Sequence, residues 1–243
     1  DVGGDEEVGR LDGPLMRPIK TTHLLIAANV LVFAAMLVVG GPGELRSFST
    51  HTLLVFGADY GPLVREGQVS RLLTSNFIHL NPIHIVMNMV ALYQVGLPLE
   101  GLLGRRRYAA LYLASGLLGS VASIVWHFRE PVVSAGASGA ITGLIGAAAV
   151  ASHRAGDAGI PLRNIMLRWL VTVFVFGAVI HADNAAHLGG LAGGAALAFF
   201  FRTGPAKPSS RAPAGARFET PRLRIATASL PASSSPRPGA ESV

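Results

Sequence analysis

Apolar residues gather into six long runs along the chain, and charged residues stay away from the middle of each run. Most runs are roughly 15 residues long, and a few flanking residues extend them towards the ~20 that a helix needs to cross a bilayer. Soluble domains instead carry charged residues along each element. The pattern therefore predicts an all-α membrane protein with six transmembrane helices. We place these helices at about residues 24–39, 83–97, 108–126, 138–151, 165–180 and 187–201.

The stretches outside the six runs differ in composition. Residues 1–20 are acidic and glycine-rich, and residues 204–243 are mostly Pro, Ser, Ala and Arg, so both are expected to be disordered tails. A single membrane domain, residues 21–203, lies between them. The connection at about residues 40–78 contains the apolar stretch HTLLVFGADYGPLV, and we expect an ordered loop that rests partly in the membrane surface.

The distribution of charge predicts the orientation in the membrane. The net charge is +6, and 16 of the 20 Lys and Arg residues fall on one side if that side holds both termini and turns at residues 98–107 and 153–168. By the positive-inside rule this side is cytoplasmic. The basic charge thus indicates topology within a lipid bilayer, and no nucleic-acid partner is expected. A compact core without a recognisable organelle presequence favours the bacterial plasma membrane.

The chain contains no cysteine, which excludes disulfides, thiol catalysis and zinc–thiolate sites. Four tyrosine and tryptophan side chains near the ends of the predicted helices are expected to be membrane-interface anchors. These are Tyr93, Tyr108, Tyr112 and Trp126. Glu100 lies beside the run of three arginines at residues 105–107, and we expect it to pair with them.

The fourth helix is too short to reach both faces of a membrane. Residues 138–151 make about 21 Å of helix, whereas the hydrocarbon core is about 30 Å thick. The preceding residues 129–137 contain Pro131 and Gly136, so they are not expected to be helical. Non-helical backbone at membrane depth is tolerated only inside protein or around a water-filled cavity. Ser138 is therefore predicted at a helix N-terminus at the bottom of a cavity, where the helix dipole favours an oxyanion.

A nucleophilic serine needs a base, and His187 is the best placed of the eight histidines. It begins the last short helix, as Ser138 begins the fourth. Each of the two residues is followed by glycines at small-xxx-small spacing, which allows close helix packing. These glycines are Gly139 and Gly143 in one helix and Gly190 and Gly194 in the other. Packing of the two faces would bring Ser138 and His187 within hydrogen-bond distance, although such faces also occur for packing alone.

The second helix carries His84 and Asn88, four residues apart on one face. Asn88 could donate an amide N–H to an oxyanion with His84 beside it, or both could form hydrogen bonds between helices. A third hypothesis is that His79, His84 and His187 bind a metal ion. It is disfavoured because no carboxylate joins them and an HExxH motif is absent. No cofactor and no metal are expected.

Together these motifs resemble the rhomboid family of intramembrane serine proteases. The resemblance covers about residues 66–201. It includes His79-x4-His84-x3-Asn88, then Gly136-Ala137-Ser138-Gly139, then Ala186-His187-x2-Gly190-x3-Gly194. Each pattern alone is weak, but their order on the second, fourth and sixth helices is highly specific.

The resemblance implies a Ser–His dyad, with Ser138 as nucleophile and His187 as general base and then acid. It implies an oxyanion hole formed by Asn88, His84 and the Ser138 backbone N–H. His79 resembles the family's structural histidine. The implied activity is cleavage of transmembrane segments of protein substrates near their outer ends. The alternatives are a catalytically inactive rhomboid-like protein that binds membrane helices, and a small transporter.

Two positions depart from the family pattern. Ser70 stands where a tryptophan is expected before Arg71 in the loop signature, so the loop lacks that anchor. Thr142 stands where an aromatic ring usually stacks on the histidine, and Tyr93 or Phe174 could replace that ring. Asp183, four residues before His187, is interpreted as a helix cap rather than as the third member of a triad.

Overall fold

The computed structural model describes residues 19–179 and 182–200. The predicted tails at residues 1–20 and 204–243 therefore lie outside the described residues, apart from Ile19 and Lys20. In chain order the α-helices are α1 Thr21–Gly40, α2 Thr50–Phe56, α3 Gly61–Arg65, α4 Arg71–Thr74, α5 Pro82–Leu103, α6 Arg105–Trp126, α7 Ser138–Arg154, α8 Ile160–Val179 and α9 Asn184–Phe200. Two short strands are β1 Asp59–Tyr60 and β2 Val133–Ser134, and 3₁₀ turns occupy Pro42–Glu44, Ser75–Phe77 and Gly156–Gly159.

Each of the six predicted transmembrane segments corresponds to a long helix. Four stretches are long and apolar enough to cross a membrane, namely α1, α5, α6 and Gly156–Val179, which includes α8. The remaining two, α7 and α9, have 17 residues each and are about 25 Å long. The prediction that residues 129–137 are not helical is confirmed, because α6 ends at Trp126 and α7 begins at Ser138.

Two predicted cytoplasmic connections are wrong in length. The turn expected at residues 98–107 is a single residue, Gly104, because α5 continues through Pro98 to Leu103. Proline inside a helix removes one hydrogen bond, and here the helix ends only where Gly104 takes a φ of 78°. The connection expected at residues 153–168 is likewise reduced to residues 155–159, since α7 extends to Arg154 and α8 begins at Ile160.

The connection between α1 and α5 is ordered, as predicted, and it contains three short helices and β1. β1 pairs with β2 in an antiparallel bridge, with Asp59 opposite Ser134 and Tyr60 opposite Val133. This small sheet was not part of the all-α prediction. It joins the connection between α1 and α5, residues 41–81, which we call the surface loop, to the segment that leads into Ser138.

The centre of the bundle is α7, in which every residue from 139 to 148 is buried. The predicted glycine faces of α7 and α9 pack against each other. A Cβ on Gly190 would lie 2.0 Å from the Gly139 carbonyl oxygen, and one on Gly194 would lie 2.0 Å from that of Gly143. Only glycine permits this approach, and it brings the first turns of α7 and α9 side by side.

Tyr108 and Tyr112 are fully buried, so their prediction as membrane-interface anchors is wrong. Both lie on the face of α6 that packs into the main core. Tyr93 and Trp126 are exposed. The sequence position near a helix end did not distinguish a residue facing lipid from one facing the bundle.

Glu100 stabilises the start of α1. Its carboxylate accepts hydrogen bonds from Thr21 N at 2.7 Å, Thr22 N at 2.9 Å and the Thr22 hydroxyl at 2.7 Å. A carboxylate at a helix N-terminus satisfies free N–H groups and interacts favourably with the helix dipole. These contacts fix the N-terminus of α1 to the C-terminal part of α5. The sequence predicted pairing of Glu100 with the neighbouring arginines and did not predict this role.

Candidate active site

Ser138 and His187 face each other across the contact between α7 and α9. The Ser138 Oγ and His187 Nε2 atoms lie 2.9 Å apart, within hydrogen-bond distance. Ser138 is the first residue of α7 and is half-buried, while His187 lies in the first turn of α9 and is buried. The glycine faces below them hold the two helices at this spacing.

The backbone before Ser138 adopts a conformation that only glycine accepts easily. Gly136 has a φ of 136°, and its N–H donates to the Ser75 carbonyl at 3.0 Å. A Cβ on Gly136 would lie 2.8 Å from Cε1 of His84 and 3.6 Å from the Ser138 Oγ. The glycine therefore allows the His84 ring to approach the nucleophile candidate closely.

A cavity of about 780 Å³ opens beside the two side chains. Ser138, His187, His84 and Asn88 all contribute to its wall. Further wall residues come from α8, including Trp169 and Phe176, and from the segment around β2. The four residues predicted as the site thus border one cavity, large enough for several residues of an extended peptide.

Asn88 and His84 are held by bonds within and next to their own helix. The Asn88 amide donates one hydrogen bond to the His84 carbonyl at 2.9 Å, and its second N–H is not used by that bond. The His84 Nδ1 accepts from Leu80 N at 3.4 Å, so Nε2 carries the proton. His79 is buried and packs edge-on against His84, with 5.1 Å between ring centroids.

The Asn184 side chain hydrogen-bonds to the His187 imidazole, a role that the sequence did not predict. Its side-chain oxygen lies 3.1 Å from Nδ1 of His187. An amide oxygen can only accept, so Nδ1 carries the proton and Nε2 is left to accept from the Ser138 hydroxyl. The spacing of three residues within one helical turn was the available signal.

An aromatic ring also contacts the imidazole, but from a different helix. Phe174 of α8 meets His187 edge-on, with 5.9 Å between ring centroids. The other candidate, Tyr93, instead neighbours His23 at 6.3 Å. Thr142 donates to the Gly139 carbonyl at 2.9 Å and faces Gly190, which leaves no space for a ring at this position.

Asp183 caps α9, as predicted, and does not contact the imidazole. Its Oδ1 accepts from Ala186 N at 3.1 Å, Ser123 donates to Oδ2, and the His127 ring lies 3.5 Å away. Burial opposes its ionisation, but the hydrogen bonds from Ser123 and Ser134 outweigh burial and lower the pKa of Asp183. The cap is therefore an ionised carboxylate.

Arg71 anchors the surface loop even though Ser70 replaces the expected tryptophan. Its Nη1 donates to the carbonyls of Leu54 at 2.8 Å and Ala58 at 3.0 Å, and its Nε donates to Gln68 at 2.7 Å.

Within residues 19–179 and 182–200, no three His, Asp or Glu side chains are arranged to hold a metal ion. His187 Nε2 faces Ser138 rather than His79 or His84.

Comparison with known proteins identifies the family. Residues 66–204, more than half of the chain, match the Rhomboid domain. The chain belongs to the rhomboid family. Its apolar helices and this membership make it an integral membrane protein.

Several curated relatives of this rhomboid are similar over most of the described region. Rhomboid protease GluP of Bacillus subtilis is 38% identical over 180 residues, which cover 71% of this chain and 33% of GluP. Rhomboid-like protease 2 of Toxoplasma gondii is 32% identical over 179 residues, covering 71% of this chain and 62% of that protein. RHOMBOID-like protein 7 of Arabidopsis thaliana is 36% identical over 174 residues, covering 65% of this chain and 51% of that protein. The chain thus spans less than two thirds of each relative.

Proposed function

We propose that this rhomboid is an intramembrane serine endopeptidase that cleaves transmembrane segments of membrane proteins near their outer ends. The observation that carries the proposal is the 2.9 Å contact between Ser138 and His187 at the wall of a cavity. Two relatives bear the name protease, which supports the same activity.

In the proposed mechanism, side chains and backbone groups of this chain act together with one water molecule. The Ser138 Oγ attacks the scissile carbonyl while His187 Nε2 takes its proton. The Ser138 backbone N–H, the free N–H of Asn88 and the His84 Nε2–H stabilise the oxyanion. The C–N bond of the tetrahedral intermediate then breaks as His187 protonates the leaving amine, which leaves an acyl-enzyme. A water that loses its proton to the same imidazole attacks the acyl carbon, and the ester bond to Ser138 breaks as the serine regains its proton. The N-terminus of α7 adds its positive end to the charge stabilisation.

All six long helices cross the bilayer in this proposal, with both termini cytoplasmic in a bacterial plasma membrane. At about 25 Å, α7 is shorter than the hydrocarbon core of about 30 Å. With its C-terminal end at the cytoplasmic face, its outer end and Ser138 lie below the outer membrane surface. Substrates are membrane proteins whose helix unwinds locally, because a helical carbonyl is shielded from attack. Helix-weakening residues and small side chains are expected near the cleaved bond.

A serine-directed probe on the reconstituted protein tests the proposal. Purified protein in liposomes is expected to react with a fluorophosphonate at Ser138 and to cleave members of a panel of transmembrane reporters, read by mass spectrometry. Ser138→Ala should lose both signals. Ser152→Ala is the matched control, because Ser152 is also on α7 but bonds to the Ala149 carbonyl. A folded wild-type protein with neither labelling nor cleavage would instead support a helix-binding protein without catalysis.

Removing the Asn184 side chain should reduce turnover without abolishing it. We expect Asn184→Ala to lower kcat by about tenfold to a hundredfold with little change in KM, since general-base catalysis contributes about 10²–10⁴-fold and only imidazole orientation is lost. Asn184→Asp keeps an acceptor for Nδ1 and should retain most activity. Equal losses in the two variants would contradict the positioning role of Asn184, as would wild-type kcat in Asn184→Ala.

A further inference from the structure

Asp59 is a buried carboxyl group that the proposed chemistry does not use. The residue is 2% exposed, and within the part of the chain that the structure describes neither carboxylate oxygen has a donor in full hydrogen-bond geometry, although the Tyr60 backbone N–H lies close enough to favour the charged form. A buried carboxylate without donors is costly, and such groups usually bind a proton instead. Burial at this position therefore favours the protonated, neutral form of the Asp59 carboxyl group.

Asp59 lies where the surface loop meets the start of the histidine-bearing helix. It belongs to β1 and sits opposite Ser134 of β2. The Ser134 hydroxyl lies close enough to the Asp183 carboxylate to favour its charged form, and Asp183 caps α9 four residues before His187. We call the group formed by Asp59, Ser134 and Asp183 the loop–cap contact. It connects β1 to the helix that positions the proposed base.

Two charged groups act on Asp59, one from each side. Arg71 of α4 attracts a negative charge there, but its guanidinium donates to backbone carbonyls and Gln68 rather than to the carboxyl group. Asp183 repels a negative charge and is itself ionised, with His127 of the α6 terminus beside it. Burial, reinforced by Asp183 and opposed by Arg71 and the Tyr60 backbone N–H, raises the pKa of Asp59 to about 7.

We propose that Asp59 is a protonated carboxyl group that closes the loop–cap contact, and that loss of its proton loosens β1 and the start of α9. The neutral acid tolerates burial next to the Asp183 carboxylate, whereas two buried carboxylates repel each other. The effect on cleavage rests on the proposed protease function, but the effect on stability does not. A change in pH then alters the packing of the surface loop and the position of His187 together.

The direction of the pH dependence follows from proton binding. Asp59 binds its proton more tightly in the folded protein than in the unfolded chain, where the ordinary pKa is 3.8. The resulting stabilisation is fully present below pH 3.8 and is lost as the pH rises to about 7. Above that pH the protein carries the full cost of the buried charge.

Thermal unfolding of an inactive background tests the protonation directly. In Ser138→Ala protein, we expect Tm to fall between pH 5 and pH 8, whereas adding Asp59→Asn should reduce this fall and raise Tm at pH 8 by at least about 3 °C. Asp157→Asn is the matched control, because Asp157 is exposed on the turn before α8 and should leave the slope unchanged. The same pH slope with and without Asp59→Asn would overturn the proposal.

The pH profile of cleavage tests the connection to the active site. The catalytically intact protein should lose activity above about pH 7, whereas Asp59→Asn should remain active to higher pH, with the acidic limb unchanged. Coinciding alkaline limbs would overturn the link between the loop–cap contact and His187. If neither protein cleaves any reporter but the Tm result holds, the protease proposal fails and the protonated Asp59 stands.

Discussion

Replacing His187 by alanine is expected to lower cleavage of a transmembrane reporter by about a thousand-fold or more. His187 Nε2 lies 2.9 Å from the Ser138 Oγ, so its removal leaves the hydroxyl without a base at neutral pH and the leaving amine without an acid. Reactivity of Ser138 towards the fluorophosphonate should fall in parallel. Both quantities are measured on protein reconstituted in liposomes, with initial rates taken at several substrate densities.

An exposed histidine in the surface loop provides the control for His187→Ala. His51→Ala removes the same side chain from the exposed first turn of α2 and should keep the cleavage rate within about twofold of wild type. Thermal unfolding of all three proteins establishes that the bundle is intact. Substantial cleavage by a folded His187→Ala protein would refute the role of His187 as the base.

Adding one methyl group at Gly194 is expected to damage both stability and activity. A Cβ there would lie 2.0 Å from the Gly143 carbonyl oxygen and 2.6 Å from its Cα, and backbone atoms cannot rotate away. Since α9 must move outward, Gly194→Ala should lower the free energy of unfolding by about 1–3 kcal/mol. A displacement of about 1 Å between Ser138 and His187 should reduce cleavage about a hundredfold. Alanine is the better helix former, so a loss cannot come from helix propensity.

The neighbouring glycine gives the matched comparison. A Cβ on Gly193 would lie 2.5 Å from Cδ1 of Leu118, the end of an exposed side chain that can change rotamer, and 3.1 Å from the Leu118 Cβ, which needs a shift of only a few tenths of an ångström. Gly193→Ala should therefore keep most of the stability and activity. Denaturation and cleavage assays on the two variants decide the point: equal behaviour would show that the α7–α9 spacing does not control the site.

Helix positions and the Ser138–His187 contact could be predicted because they depend on short-range patterns. Apolar runs locate the helices, and the two pairs of glycines specify which faces can approach. The lengths of the turns between α5 and α6 and between α7 and α8 could not be predicted in the same way. Proline at position 98 usually indicates a helix end, but the surrounding helix tolerates the loss of one hydrogen bond and the break comes at Gly104.

Other features depend on residues far apart in the chain. The β1–β2 bridge contains two residues on each strand, too few for an alternating pattern to be recognised. Glu100 caps a helix that begins nearly eighty positions earlier, with a sequence separation of 79 from Thr21. The burial of Tyr108 depends on which face of α6 meets its neighbours, and no local signal decides this.

The ring beside the imidazole belongs to a helix that also forms a wall of the cavity. Phe174 belongs to α8, whose buried residues within the described chain are only Met166 and Gly177, and other residues of α8 border the cavity. This helix packs against fewer residues of the bundle than α9 does. Any outward tilt of α8 that widens the cavity also withdraws the phenyl group, so the width of the cavity and the alignment of the imidazole are mechanically linked.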